Sequence, residues 1–452
     1  MQPINWQQFG LKKDPFDTSA LIEGGDLPIE KAFVGRDAER HFLNSLFESG
    51  NKICLAICGP VGVGKTSLVN FHKFIWKYEK SKLLFSFRRE IEASKDLLNK
   101  RSFLIEIIGS VLREFKLLQP DLLKNDLLKK LGKIVDISQS IDISIGASAF
   151  GFGADLGGGQ NVIQPIQLAM ATLENYFVEL VEFIKNNEIN GKTYSGLIVH
   201  VNNFVVVLSD KETRKKVIEF FNEIRDVLQT PDVYSLFLGP PDLFTDVIAS
   251  QQRVKGIFYQ TSLKVSPLSK TEITKAFCER MEILQSDDVK KYIKPIEDDV
   301  IFRLYDLYNG DIRSIMSSVR DILGQNADKL SKTTLTANEA MLLLGKERWE
   351  RIEGAMKLTD EQKKILKYLA TADNFISQKE VATLFGLART NVSGYYFKPL
   401  KENKIIEEKE KKGQTPYFGL TQDYVPLKWL LKAQKDLRKS LQEQQSKQME
   451  LF

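Results

Sequence analysis

The eight residues Gly59-Pro60-Val61-Gly62-Val63-Gly64-Lys65-Thr66 place three glycines, a lysine and a threonine where a chain can wrap a polyphosphate. Glycines let backbone N–H groups turn toward anionic oxygens, and a following helix adds its positive end. The Lys65 ammonium has the reach for β- and γ-phosphates, the Thr66 hydroxyl suits a magnesium ion, and Ser67 extends the same turn. The chemistry expected is binding of a nucleoside triphosphate, ATP with Mg2+. Two elements must hold such a loop. Ile53-Cys54-Leu55-Ala56-Ile57-Cys58 before it reads as a buried parallel strand, and residues 67–75 after it carry a helical pattern. Strand, glycine loop and helix in that order separate this segment from a chance glycine turn.

Hydrolysis needs a second strand ending in an acid that steadies the magnesium shell, and a carboxylate that activates water. The matching strand is Gly196-Leu197-Ile198-Val199-His200-Val201, preceded by an amphipathic helix at about 163–187. It ends in Asn202-Asn203, so amides stand where acids are wanted. An amide can bond a magnesium-bound water but is a poor base and carries no charge. Binding with slow hydrolysis is expected. Asp210 is a weak substitute acid; its other reading is the N-cap of a helix over 211–229.

Further short segments extend this pattern. Leu27-Pro28 and Phe33-Val34-Gly35-Arg36-Asp37-Ala38-Glu39 precede the loop. Gln252-Arg253-Val254-Lys255-Gly256, Val265-Ser266-Pro267-Leu268-Ser269 with Glu272 and Arg280, and Asn309-Gly310-Asp311-Ile312-Arg313 follow it. In order and spacing, residues 27–345 resemble the AAA+ ATPases, and among them the archaeal Orc/Cdc-type initiators and their bacterial relatives. The resemblance implies that Val34, Gly35 and Arg36 line an adenine pocket. It also implies that Arg253 faces a neighbouring subunit's nucleotide and that Arg313 reaches the γ-phosphate from a helical lid. A guanidinium suits those tasks; the plainer reading of either arginine is a surface or lid salt bridge. The chain departs from the family at Asn202-Asn203 and again at Gly239-Pro240-Pro241-Asp242-Leu243, which lacks the usual asparagine. That ending is similar to transposition and secretion ATPases of the TniB/ExeA type, or to the STAND signalling group.

Between helices near 101–118 and 163–187, Val135, Ile137, Ile141, Ile143, Ile145 and Ala147 alternate with polar residues, as do Phe150, Phe152, Ala154 and Leu156 after a phase change. Period two with a central break predicts a β-hairpin over 132–160. Its two readings are an accessory hairpin and a protruding element that meets DNA or a partner. Farther on, Leu358-Thr359-Asp360-Glu361 is a helix start. Residues 376–386 read as an entry strand, a short helix and a glycine turn. Leu387 to Tyr396 begin a second helix, with Val392, Tyr396 and Leu400 facing the core. Residues 405–420 read as a hairpin. This order resembles a winged helix-turn-helix, which implies double-stranded DNA as partner. Arg389, Thr390, Asn391 and Ser393 would lie at the major groove and Lys411 and Lys412 at phosphates. A winged helix used for protein contacts is the alternative. The chain ends Gln448-Met449-Glu450-Leu451-Phe452, which resembles the peptide by which bacterial polymerases and repair proteins bind a sliding clamp; Gln448, Leu451 and Phe452 would make the contact. A tail folded back on the core is its other reading.

The expected architecture is α/β: an N-terminal arm (1–30), a P-loop domain with a parallel sheet (31–265), a helical lid (266–350), a winged helix-turn-helix (356–426) and a tail (427–452) that opens with a charged, mostly solvated helix over 427–447. At 452 residues, 43% hydrophobic and 27% charged, the chain has room for two to four domains with cores of their own. It has no run of about 18 apolar residues, so no membrane span is expected, and MQPINWQQFG does not read as a signal peptide. Three cysteines, Cys54, Cys58 and Cys278, argue for a reducing cytoplasm, and His41, His72 and His200 without a CxxC pair argue against structural zinc. A net charge of +5 permits nucleic-acid binding through a local patch without requiring it. The function expected is an initiator-like protein in replication, mobile-element or genome maintenance, whose nucleotide state controls DNA binding and association with itself or other AAA+ subunits. The alternative is a STAND-like signalling or defence ATPase.

Overall fold

The computed structural model describes residues 4–50, 52–143, 169–259, 261–325, 334–372 and 374–435. They form two compact units, one of residues 19–268 and one of residues 1–18 together with 269–452.

The first unit is built on a six-stranded sheet. Its strands are β1 (Ile53–Cys58), β2 (Phe85–Ser86), β3 (Ile91–Glu92), β4 (Leu197–Asn202), β5 (Val233–Gly239) and β6 (Leu263–Lys264). The order is β2-β4-β5-β1-β6, with β3 also paired to β4, and these strands pair in parallel. Every residue of β1 and β5 is buried, the near-continuous apolar run of a sheet covered on both faces. Ile53, Leu55, Ile57 and Ile198 pack with Leu43 and Phe47 of helix α1 (Asp37–Ser49) and with Leu68, Val69 and Trp76 of α2 (Lys65–Tyr78). Cys54, Ala56, Val199 and Val201 face the other way, into a core with α3 (Lys100–Leu118), α4 (Asp126–Ile143), α5 (Met170–Asn186) and α6 (Lys211–Glu223). Asp210 caps α6, accepting from the Thr213 N–H at 3.0 Å and its hydroxyl at 2.6 Å, so its capping reading holds.

The hairpin expected over 132–160 is not what the described part of that segment forms. α4 runs helical through Ile143. Leu128, Leu131 and Val135 are buried at helical spacing against the core that α3 shares, and this period of 3.6 begins before the alternation and overrides it. The rest of the predicted hairpin lies outside the described residues.

The second unit begins with the N-terminal segment. Phe9 and Phe16 are buried, and the Phe16 ring meets Phe277 edge-on at 5.5 Å. Arg280, buried on α7 (Lys270–Ile283), donates to the carbonyls of Pro15 at 3.2 Å and Asp17 at 2.8 Å. The expected arm over 1–30 is therefore divided, and residues 4–18 pack with the later helices. A Ser269–Glu272 capping box starts α7, which gives Glu272 a local structural task. Then follow α8 (Asp298–Tyr308), α9 (Ile312–Gln325) and α10 (Ala337–Ala355). Gly345 of α10 lies so close to the Pro426 carbonyl that a Cβ would collide with it, and the buried Arg348 donates to the Asp423 carbonyl at 3.0 Å.

The same unit ends in a small module of α11 (Asp360–Thr371), β7 (Ile376–Ser377), α12 (Gln378–Phe385), β8 (Ile406–Lys412) and β9 (Thr415–Leu420), with sheet order β7-β9-β8, antiparallel. Capping boxes at Thr359 and Ser377 start the two helices, and Gly386 at φ 63° ends the second. The following helical segment is not regular. Arg389–Asn391 is α-helical, Val392–Phe397 is a π turn, and Lys398–Glu402 is α-helical again. The π turn puts Val392 and Phe397, five residues apart, into the core with Leu400, and leaves Tyr396 only half-buried; the sequence expectation had Tyr396 in that place. Pro399 contributes the irregularity, because it has no N–H to offer the Tyr395 carbonyl. The buried Gln362 supplies the missing donor at 2.8 Å. Leu427 and Leu431 also join this core and form the buried side of the 427–435 helix.

Candidate functional site

The glycine loop leaves the end of β1, in the crevice beyond the carboxyl ends of a parallel sheet where ligands of open α/β folds bind. Gly59 closes the turn: its N–H donates to the Gly239 carbonyl at 3.2 Å, and a Cβ there would run into the Val265 carbonyl. Gly62 and Gly64 sit at φ 78° and 91°, in the region that side chains disfavour. They bring the chain into α2 at Lys65 with no side chain capping the helix and no acid in its first turn. The first N–H groups of a helix need partners from outside it. An uncapped, acid-free N-terminus behind a glycine turn is a built anion cradle.

Around this cradle, Lys65 folds back so that its Nζ donates to the carbonyls of Gly59 at 2.8 Å and Pro60 at 2.6 Å. Val61 at the tip is exposed. The Asn202 amide, at the end of β4, donates to the Thr66 hydroxyl at 2.9 Å. The second strand thus reaches the loop at the position the sequence assigns to it, with an amide in place of an acid. Asn203 follows in a left-handed conformation, φ 68°, which asparagine tolerates better than most residues.

Two expected ligand contacts are engaged otherwise. The Arg36 guanidinium is buried and donates to the Val63 carbonyl at 2.6 Å, to the Ser266 carbonyl, and to Glu39 at 3.0 Å. It holds the loop from beneath rather than facing solvent, and its own backbone is left-handed at φ 65°. The Ser67 hydroxyl accepts from the Leu21 N–H at 3.2 Å, pinning the entering chain to α2. Val34 and Gly35 remain half-exposed, while the neighbouring Phe33 stacks on Phe71 of α2 at 4.5 Å.

Below the loop, α2 carries polar groups on its buried face. Lys77 pairs with Glu114 at 2.7 Å and Glu23 at 3.2 Å. Burial pushes Lys73 down to about 8 and His72 down to about 3, and holds His200 of β4 well below its ordinary range. Burial raises the Cys58 thiol, which opposes a nucleophilic role there. These groups rigidify the floor of the site and were not legible as a set, because Glu23, Lys77 and Glu114 are far apart in sequence.

Arg253 is exposed on the short helix Gln252–Lys255, and Arg313 is exposed in the first turn of α9 on the other unit, where Asp311 accepts from its N–H at 3.0 Å. In the C-terminal module, Arg389, Thr390, Asn391 and Ser393 are all exposed on the irregular helix. Lys411 and Lys412 are exposed on β8 but are paired with Glu408 at 3.4 Å and Glu410 at 3.2 Å. Gln448, Leu451 and Phe452 lie outside the described residues. Among the described residues no group of three or more metal-binding side chains occurs, and no helix is long and apolar enough to cross a membrane.

No family model and no curated protein matches the chain. Among solved structures it is similar to the Orc1 protein of Aeropyrum pernix in complex with DNA, at 12% identity over 91% of this chain and 95% of that one, with a TM-score of 0.43. It is also similar to the Orc2 protein of Aeropyrum pernix in its ADPNP–ADP complexes, at 14% identity over 93% and 98%, TM-score 0.45. A third likeness is to Cdc6p from Pyrobaculum aerophilum, at 14% identity over 92% and 100%, TM-score 0.38. On its own sheet order and helices, the chain has the α/β fold with one parallel sheet that the sequence resemblance to Orc/Cdc-type AAA+ proteins implies.

Proposed function

We propose that this chain binds ATP with magnesium at the Gly59–Thr66 loop and that the nucleotide state governs how it engages duplex DNA and further copies of itself. The observation that carries the reading is the uncapped, acid-free start of α2, entered through Gly62 and Gly64 and flanked by Lys65 and Thr66. The cradle offers backbone N–H groups, a cation and a hydroxyl, the donors a magnesium-bound triphosphate calls for. Thr66 is the magnesium ligand, with Asn202 orienting its hydroxyl. An amide at 202 keeps binding but weakens hydrolysis, so the loop works as a latch more than a motor. Arg253 and Arg313 take the phosphate-facing roles in this reading.

Titration of the full chain with Mg-ATP tests it. Lys65→Ala removes one charge-assisted contact to the phosphates, and a loss of about 100-fold in affinity is expected, close to 2.7 kcal/mol. An affinity within threefold of the wild type would remove the loop from the reading. The DNA half rests on the exposed set Arg389, Thr390, Asn391 and Ser393 on the helix packed over the three-stranded sheet, a winged helix-turn-helix in this reading. Absence of duplex binding at low salt, with and without ATP, sinks that half. Contact with a sliding clamp through Gln448, Leu451 and Phe452 completes the proposal and is tested by removing the last five residues.

A second reading has one observation in its favour. The strand β8 alternates Glu407, Glu408 and Glu410 with Lys409, Lys411 and Lys412, and Leu384 and Tyr395 are exposed apolar side chains on the same module. A locally neutral strand with exposed apolar groups suits a protein partner, as in a STAND-like switch.

A further inference from the structure

The sheet brings a carboxylate alongside Asn202 that the sequence did not reveal. Asn202 and Glu92 are the last residues of β4 and β3, and they are register partners in adjacent parallel strands. Partners in neighbouring strands lie about 4.8 Å apart and present their side chains to the same face. That face is fixed here. Ile91 and Val201, one residue earlier on each strand, both enter the core of α3 to α6, so Glu92 and Asn202 present to the α2 side, where Asn202 bonds Thr66. Glu92 is exposed, and among the described residues no hydrogen bond or ion pair commits it. Two other acids are engaged elsewhere: Asp210 caps α6, and Asp242 is paired with Arg214.

We propose that Glu92 supplies the carboxylate missing from the end of β4 and is the general base of a slow ATP hydrolysis. This rests on the nucleotide reading above. Glu92 takes a proton from a water as that water's oxygen bonds to the terminal phosphorus and the bond from that phosphorus to the β,γ-bridging oxygen breaks. ADP and inorganic phosphate result, and the proton passes from Glu92 to solvent. Asn202 keeps the Thr66 hydroxyl in place beside it. The division of labour between two strands explains how a site with two amides at the usual acid positions retains a base.

The test uses the full chain, with and without duplex DNA, and compares wild type, Glu92→Gln and Asp242→Asn. Two quantities are read: turnover of Mg-ATP, and equilibrium affinity for ADP with aluminium fluoride relative to ADP alone. Expected for Glu92→Gln is ATP affinity within threefold of wild type, turnover lower by about 100-fold or more, and loss of the extra affinity for the aluminium fluoride complex. Asp242→Asn is expected to keep both. Unchanged turnover and unchanged aluminium fluoride preference in Glu92→Gln would overturn the assignment, as would a wild type that binds ATP and never turns it over. A wild type that does not bind ATP overturns the nucleotide reading itself, an outcome the binding titration separates from the other two.

Discussion

The glycine loop and the C-terminal module present their functional residues in opposite ways. At the loop the polar groups are tied down: Lys65 by two carbonyls, Thr66 by Asn202, and the loop backbone by Arg36 beneath Val63. In the module, Arg389, Thr390, Asn391 and Ser393 project from an exposed helix, and what is tightly held is the core beneath them: Val392, Phe397 and Leu400. The difference suits the ligands proposed for the two regions. A triphosphate is small and needs donors fixed in place. A duplex is long and is met by an extended surface whose side chains settle on contact. Damage to the loop should therefore remove binding outright, whereas damage to the module's surface should grade it.

The largest effect separating surface from support in the module concerns adjacent aromatics. Phe397→Ala should destabilise the full chain by about 3–5 kcal/mol in urea denaturation, because it empties a fully buried site. Tyr396→Ala, half-buried, should cost about 1 kcal/mol or less. Equal costs would mean that the π turn does not set the register of the helix.

A second contrast is acid sensitivity. All three histidines lie in the 19–268 unit. His72 is buried there, with both ring nitrogens lacking a hydrogen-bond partner among the described residues, and burial pushes it down to about 3. The unfolded chain takes up a proton near the ordinary value of 6.5. Stability of this unit should thus fall as pH drops from 6.5 toward 3, while the histidine-free unit is spared this term. Thermal melting of His72→Phe should show a shallower decline over that window. An identical decline in variant and wild type would clear His72 of the effect.

A third and smaller contrast lies within the module's surface. Arg389→Ala should weaken duplex binding by about tenfold, within the 1–3 kcal/mol of a base-reading arginine. Lys411→Ala with Lys412→Ala should weaken it by about threefold or less, because Glu408 and Glu410 already neutralise both lysines. A larger loss from the lysine pair would mean that β8 sheds its glutamates when it meets phosphate.

Some of this was legible in the chain because it is local. The glycine loop, the strand before it, the Asp210 cap and the helix start at Thr359 are each written in a short run of consecutive residues, and the order of the module's elements is a succession of such runs. Their geometry follows from backbone freedom, hydrophobic period and side-chain-to-backbone hydrogen bonds. The amides at the end of β4 were also visible, since strand and loop each declared themselves. The helix over 126–143 was misread because alternation and helical period overlap at Val135 and Ile137, and only burial against a distant helix decides between them.

What the tertiary structure alone decided is which distant residues share a face. Sequence could not give Arg36 its buried place under Val63, divide the first 30 residues between two units, or exchange Tyr396 for Phe397 through a π turn relieved by Gln362. Nor could it bring Glu92 alongside Asn202, 110 positions away, since that depends on the register of two parallel strands. The loop by itself names the chemistry that residues 59–66 are suited to; the strands packed around it determine which side chains are left to act there.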